Sequence, residues 1–271
     1  MKVAIDAFGI TDRGKVRESN QDNFLIVEIN KSVNLLHCSL APETIAGRFG
    51  SAGGYLFVVA DGVGGGPEGE RASEDAITAL LKYVGETVGC FNASTTTKEH
   101  ELFAKLEQTV AEVHESLVET SGPGGQGPAT TLTMVLLIWP RAYLVHVGDS
   151  RAYVRRNGKV QQLTSDQTFG EYMVTLGAWT EEQAAQSRPG ATLTSAVGGS
   201  QFQPVVGLID LEPGNSLMLC TDGLSKHVPD DRLASVLAES KSAEEACRTL
   251  LADALAGGGT DNISVIVVRT S

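Results

Sequence analysis

Residues 57–73, FVVADGVGGGPEGERAS, decide how this chain is to be read. An apolar run ends in one carboxylate, Asp61, and then in a cluster of glycines. Such a segment is shaped to hold either a dinucleotide's phosphates or a metal ion. Gly64-x-Gly66-x-x-Gly69 has the spacing of a nucleotide-binding glycine loop, and Glu86 stands at the distance of a ribose contact. Asp61 has no part in that fingerprint, so the flanking sequence has to arbitrate.

Outward from this stretch, strands are expected at residues 3–9, 23–29, 55–60, 130–139, 142–147, 152–156, 159–163, 204–211, 216–221 and 262–269. Asn157-Gly158 marks a two-residue hairpin turn, and Trp139-Pro140-Arg141 a second tight link. Links this short force antiparallel pairing, because a parallel crossover needs a dozen or more residues. Helices are expected at 68–84, 98–120, 230–239 and 243–256. In the second of these, Leu102, Leu106, Val110, Val113 and Leu117 form a stripe that faces a core. Hairpins interleaved with paired helices predict an α+β layered domain. A glycine loop for a dinucleotide belongs in a parallel βαβ unit instead. Residues 30–54 and 121–128 read as surface loops, and one domain spans 1–271.

Composition narrows the class. With 271 residues, 42% of them hydrophobic and 20% charged, the chain can bury a sizeable core. A net charge of −12 argues against a protein that grips nucleic acid or an anionic membrane. No apolar run reaches the length of a membrane span, and the MKVAIDAFGITDRG terminus makes a poor signal peptide. Cys38, Cys90, Cys220 and Cys247 stand apart, without zinc-binding spacing, which suits a reducing, cytoplasmic compartment.

The pattern that opened at Asp61 recurs. YLVHVGD places Asp149 after a strand, LMLCTDG places Asp222 and Gly223 after another, and Asp261 and Asp22 stand just before strands. One such Asp is explained by a turn or a helix cap. Five of them beside small residues, with few Lys or Arg nearby in sequence, point to a hard divalent cation, Mg²⁺ or Mn²⁺. Arg17, in GKVRESNQD, has a planar fork suited to a phosphate; the plainer alternative is a surface pair with Glu18. Carboxylates, metal and an Arg clamp together suggest phosphoester hydrolysis.

RESNQD, VVADGVGGGPEGERAS, HVGDSRAYV, LMLCTDGL and GGTDNISVIVV, in this order, resemble the bacterial metal-dependent Ser/Thr protein phosphatases of the protein phosphatase 2C family. The resemblance implies a four-layer αββα sandwich, two central antiparallel sheets flanked by pairs of helices. It implies direct attack on phosphoserine or phosphothreonine by a metal-bridging hydroxide. Asp61 would bridge two metals, with Gly62 offering its carbonyl and Asp222 and Asp261 completing the shell. Asp149 and Asp222 would be candidates for a looser third metal. Arg17 would hold the substrate phosphate, Asp22 would act from the outer shell, and Asn262 would shape the turn after Asp261. Phosphoproteins are the implied substrates and a Ser/Thr kinase the implied counterpart, with the chain a monomer.

Two departures qualify the resemblance. Val63 stands where many relatives carry His, so the proton donor is unassigned, and His146 reads as a satisfied core histidine. The segment 163–199 resembles the family's flap, yet has Arg188-Pro189 in place of His-Pro, and Asp166 reads as a helix N-cap there. The rivals are a dinucleotide-binding oxidoreductase, which leaves Asp149, Asp222 and Asp261 without work, and a non-catalytic phosphoprotein binder.

Overall fold

The computed structural model describes residues 3–29, 33–38, 54–64, 67–87, 96–120 and 127–271. In chain order the strands are β1 (Ile5–Asp12), β2 (Asp22–Ile29), β3 (Val33–Cys38), β4 (Gly54–Val63), β5 (Ala129–Thr130) and β6 (Leu132–Ile138). They continue as β7 (Arg141–Val147), β8 (Arg151–Arg156), β9 (Lys159–Gln162), β10 (Val205–Asp210), β11 (Ser216–Cys220) and β12 (Ile263–Thr270). The helices are α1 (Pro67–Thr87), α2 (Thr96–Glu119), α3 (Phe169–Thr175), α4 (Glu181–Gln186), α5 (Asp222–Ser225), α6 (Asp230–Glu239) and α7 (Ala243–Ala256).

Two antiparallel sheets form the centre. One has five strands in the order β1-β12-β11-β8-β9; the other has seven, running β10-β7-β6-β4-β2-β3 with β5 beside β4. Strand periodicity sorts the side chains into three cores. From β2 and β4, Phe24, Ile26, Phe57 and Val59 meet Leu217, Leu219, Ile266 and Val268 of the facing sheet. The alternate residues Leu25, Val27, Leu56 and Val58 pack outward with Ala76, Ile77, Leu106 and Val110 of α1 and α2. On the far side, Met218, Cys220, Val265 and Val267 pack with Leu233, Leu237, Cys247 and Leu250 of α6 and α7. Because both faces of each sheet are covered, the central strands are near-continuous apolar runs. Truncating one of them, as in Leu219→Ala, is expected to cost about 2–5 kcal/mol.

The expected αββα architecture is thus the observed one, with α6 and α7 at the expected bounds. Asn157 and Gly158 both adopt the left-handed backbone that the hairpin requires, with φ of 53° and 76°. Of the expected stripe on α2, Leu106, Val110, Val113 and Leu117 are buried, and Leu102 lies outside the described side chains. Three differences matter. Within the segment read as a surface loop, β3 pairs with β2 through an irregular register; residues 30–32 and 39–53 lie outside the described residues, as do 121–126 of the second expected loop. The single strand expected at 130–139 is broken at Thr131 into β5 and β6. The 163–199 segment contains α3 and α4, each begun by a threonine whose hydroxyl accepts a backbone N–H, Thr168 and Thr180.

Candidate active site

Antiparallel pairing brings the carboxylates to one end of the sandwich. Asp22, the first residue of β2, lies directly opposite Asp61 near the end of β4. Asp149 follows β7, Asp222 follows β11, and Asp261 precedes β12. Asp61, Asp149, Asp222 and Asp261 line one cleft of about 430 Å³ with Arg17, Gln21, Gly62, Thr131 and Lys226. Ala191, Thr192 and Leu193 of the 163–199 segment supply another part of its wall.

Each carboxylate is positioned by its own local structure. The Asp61 backbone is pinned by Thr131, whose hydroxyl accepts the Asp61 N–H at 3.0 Å and whose own N–H donates to the Asp61 carbonyl at 2.9 Å. That is why the chain breaks strand pairing at Thr131. Asp22 is buried; one oxygen accepts the Thr221 hydroxyl at 2.7 Å, and the other, Oδ1, has no hydrogen-bond partner. Asp222 opens the one-turn helix α5 and also carries a buried, unpartnered Oδ1. Asn262 ties the site together. Its amide donates to the carbonyls of Arg13 and Ser19, each at 2.9 Å, and its oxygen accepts the Gln21 N–H, so it fixes the loop that carries Arg17 beside Asp261.

Crowding of like charge dominates the electrostatics. Burial, then the neighbouring acids, push Asp22 up to about 7 and Asp149 up to about 8. Asp61 is driven well above the carboxylate range by burial and by Asp22, Asp222, Asp149 and Asp261 around it. Burial also raises Asp222, although Lys226 opposes the rise. Carboxylates held so unfavourably are suited to a site where cations compensate them.

Two side-chain cations stand among these acids: Arg17, which the sequence singled out, and Lys226, which it did not. Arg17 pairs with Asp261 and not with Glu18. Its guanidinium grips Asp261 in a fork, Nε to Oδ1 at 2.7 Å and Nη2 to Oδ2 at 2.8 Å. Lys226 caps the C-terminus of α5, bonds Asp222 Oδ2 through its ammonium, and lies 3.6 Å from Asp261 Oδ2. The view that few Lys or Arg compensate the acids is corrected accordingly. The available signal was the i,i+4 spacing of Asp222 and Lys226 in TDGLSK, which puts both on one helical face. With these cations interposed, no three acidic, His or Cys side chains among the described residues are already gathered around a single point.

Other expectations resolve locally. Gly62 is required by packing, since a Cβ there would stand 2.2 Å from the Gly69 carbonyl of α1. Gly64 adopts φ of 115° with open space around it, so its conformation alone calls for glycine. Gly65 and Gly66 lie outside the described residues. His146 is a satisfied core histidine: Nδ1 is hydrogen-bonded with the Thr133 hydroxyl at 2.9 Å, Nε2 faces the Ser165 carbonyl, and burial lowers it to about 4. Asp166 is not an N-cap. It forms a two-pronged pair with Arg151, at 2.8 and 2.7 Å, that fastens the 163–199 segment to β8, while Thr168 caps α3.

Comparison with known proteins agrees with this geometry. The family described as "Protein phosphatase 2C" matches residues 46–257. Serine/threonine protein phosphatase PstP of Mycobacterium tuberculosis is 33% identical over 260 residues, covering 95% of this chain and 43% of that protein. The chain therefore spans less than half the length of that relative. The S. agalactiae serine/threonine phosphatase structure superposes with a TM-score of 0.80 at 28% identity, covering 99% of both chains. The catalytic domain of PstP in complex with two manganese ions gives 0.75 at 29% identity, again over 99% of both chains. The order of motifs, the paired sheets and the acidic cleft have one common account: this chain belongs to the protein phosphatase 2C family.

Proposed function

We propose that the chain hydrolyses phosphoserine and phosphothreonine in proteins, using Mn²⁺ or Mg²⁺ held in the acidic cleft. The observation that carries this reading is the convergence of Asp61, Asp149, Asp222 and Asp261 from four strand ends, against only Arg17 and Lys226 among the residues lining the cleft. The donor set fits hard divalent cations. It is all oxygen, it is overcharged, and the buried Oδ1 of Asp222 has no protein partner to satisfy it.

Asp61, the Gly62 carbonyl, Asp222 and Asp261 would hold two ions, with Asp22 and Asn262 behind them. Asp149 and Asp222 are the candidates for any third. Bound ions supply an acidified water and neutralise charge on the phosphoryl oxygens. The protein's own part is placement. Asn262 and Asp261 fix the Arg17 fork at the mouth of the cleft, where nearly half of its side-chain surface remains exposed to meet a phosphate. Thr131 fixes Asp61, and residues 191–193 form part of the cleft wall.

We read residues 1–271 as one catalytic domain, monomeric, with 163–199 as its flap and a Ser/Thr kinase as counterpart. Cys220 and Cys247 are buried free thiols, which favours a reducing, cytoplasmic setting; among the described residues no helix is long and apolar enough to cross a membrane. With Mn²⁺ present, p-nitrophenyl phosphate turnover should collapse on chelation and in Asp222→Asn. Full activity in that variant would overturn the assignment.

A further inference from the structure

Lys226 is a cation that the assignment above leaves without a role. Helical i,i+4 pairs are common, and most are solvent-facing ornaments of little energetic worth. Arg248–Glu244 and Arg71–Asp75 are of that kind, with side-chain exposures of 60% and 53%, and of 69% and 49%. Lys226–Asp222 differs, because Asp222 is only 16% exposed and the pair lines the cleft.

The two oxygens of Asp222 are divided between two environments. Oδ1 is buried without a hydrogen-bond partner, whereas Oδ2 is taken by the Lys226 ammonium. The same ammonium lies 3.6 Å from Asp261 and exerts its attraction on Asp149. An ion that bridged Asp149 and Asp222 would meet the Lys226 ammonium already bonded to Asp222.

We infer that Lys226 stands in for a third divalent ion: its ammonium serves Asp222, Asp261 and Asp149 together, so that the cleft takes two ions and no more. The inference rests on the proposed metal-dependent function. Charge supports it. Asp22, Asp61, Asp149, Asp222 and Asp261 oppose Arg17 and Lys226, leaving three formal negative charges. Two divalent ions turn that into a surplus of one positive charge, enough to attract a phosphate monoester. A third would leave a surplus of three, held together at short range in a partly desolvated cleft. Lys226 is also fixed by backbone, because it caps the turn that Asp222 opens and its N–H donates to the Asp222 carbonyl at 2.9 Å.

The test counts Mn²⁺ per chain by equilibrium dialysis, with electron paramagnetic resonance reporting the free ion, on the wild type, K226M and K226R. Two ions on the wild type and K226R, and a third, weaker one on K226M, are the expected result. Three ions on the wild type, or an unchanged two on K226M, overturn the inference while leaving the phosphatase reading intact. A wild type that binds fewer than two and still turns over p-nitrophenyl phosphate overturns the inference alone. No Mn²⁺ and no turnover bring down the functional reading, and the inference with it. Circular dichroism verifies the fold of K226M, and K226Q is read in its place if it does not fold.

Discussion

Two arginines at the same end of the molecule make nearly the same bond and do different work. Arg17 grips Asp261 in a fork at 2.7 and 2.8 Å, and Arg151 grips Asp166 in a fork at 2.8 and 2.7 Å. The surroundings separate them. Arg151 is the more buried, adds a bond to the Tyr153 hydroxyl, and joins the flap segment to a central strand. Arg17 sits on a loop, is nearly half exposed, and shares its carboxylate with Lys226. On the proposed function, a forked ion pair is a fastening in one place and an exchangeable contact in the other. Bond geometry alone does not tell a structural pair from a functional one; the competing charges do.

The comparison can be broken most severely from the carboxylate side. Asp261→Asn is expected to lower p-nitrophenyl phosphate turnover with Mn²⁺ by about a thousandfold, while the urea midpoint changes little. Wild-type turnover in that variant would reduce Asp261 to a tether for Arg17. Arg151→Met should do the reverse. It leaves the Asp166 carboxylate, 19% exposed, without its partner, and is expected to cost about 3 kcal/mol of stability in urea titration. If its stability is intact and its turnover is lost, the two pairs have been assigned the wrong way round. Arg17→Lys keeps the charge and loses the fork, so KM should rise about tenfold with kcat changing less. An equal fall in kcat and kcat/KM would mean that Arg17 acts only in the transition state.

The smallest expected effect concerns pH. Asp22 and Asp149 are raised in the fold to about 7 and about 8, so between about pH 4 and pH 8 the folded chain keeps protons that the unfolded chain releases. Their contribution to stability is present below the ordinary carboxylate pKa and is lost as the pH rises through 7 and 8. In chelator, Tm should therefore fall by a few degrees from pH 5 to pH 8, on the order of a kcal/mol or more over the range. Mn²⁺ should raise Tm more at pH 8 than at pH 5, because ions bind deprotonated carboxylates. A Tm in chelator that rises across this range would contradict the picture of crowded acids.

Most of the architecture was legible in the sequence because it rests on periodicity and on turn chemistry. The alternation at Phe24–Leu25–Ile26 and the Asn157-Gly158 turn state their own geometry. The carboxylates were legible for a similar reason, since each ends or begins an apolar run. What escaped depends on relations between distant residues. Asp166 looked like a helix cap because Arg151 becomes its neighbour only after the β8–β9 hairpin closes. Glu18 was the expected protein partner of Arg17 because the actual one, Asp261, lies 244 residues away. Lys226 is the exception: its partner is one helical turn away, and the i,i+4 spacing in TDGLSK marks the pair in the sequence.

The knot tied by Asn262 has a consequence for the order of folding. Its side chain clasps backbone groups at residues 13, 19 and 21, and β1 pairs along its whole length with β12. Among the described residues β1 has β12 as its one neighbour in its sheet, and the Arg17 loop is anchored by Asn262, so both wait on the segment around residues 262–270. The seven-stranded sheet, whose strands all precede residue 211, does not depend on that segment. Pairing of β1 with β12 and the Asn262 clasp are therefore long-range contacts, formed late relative to the local hairpins.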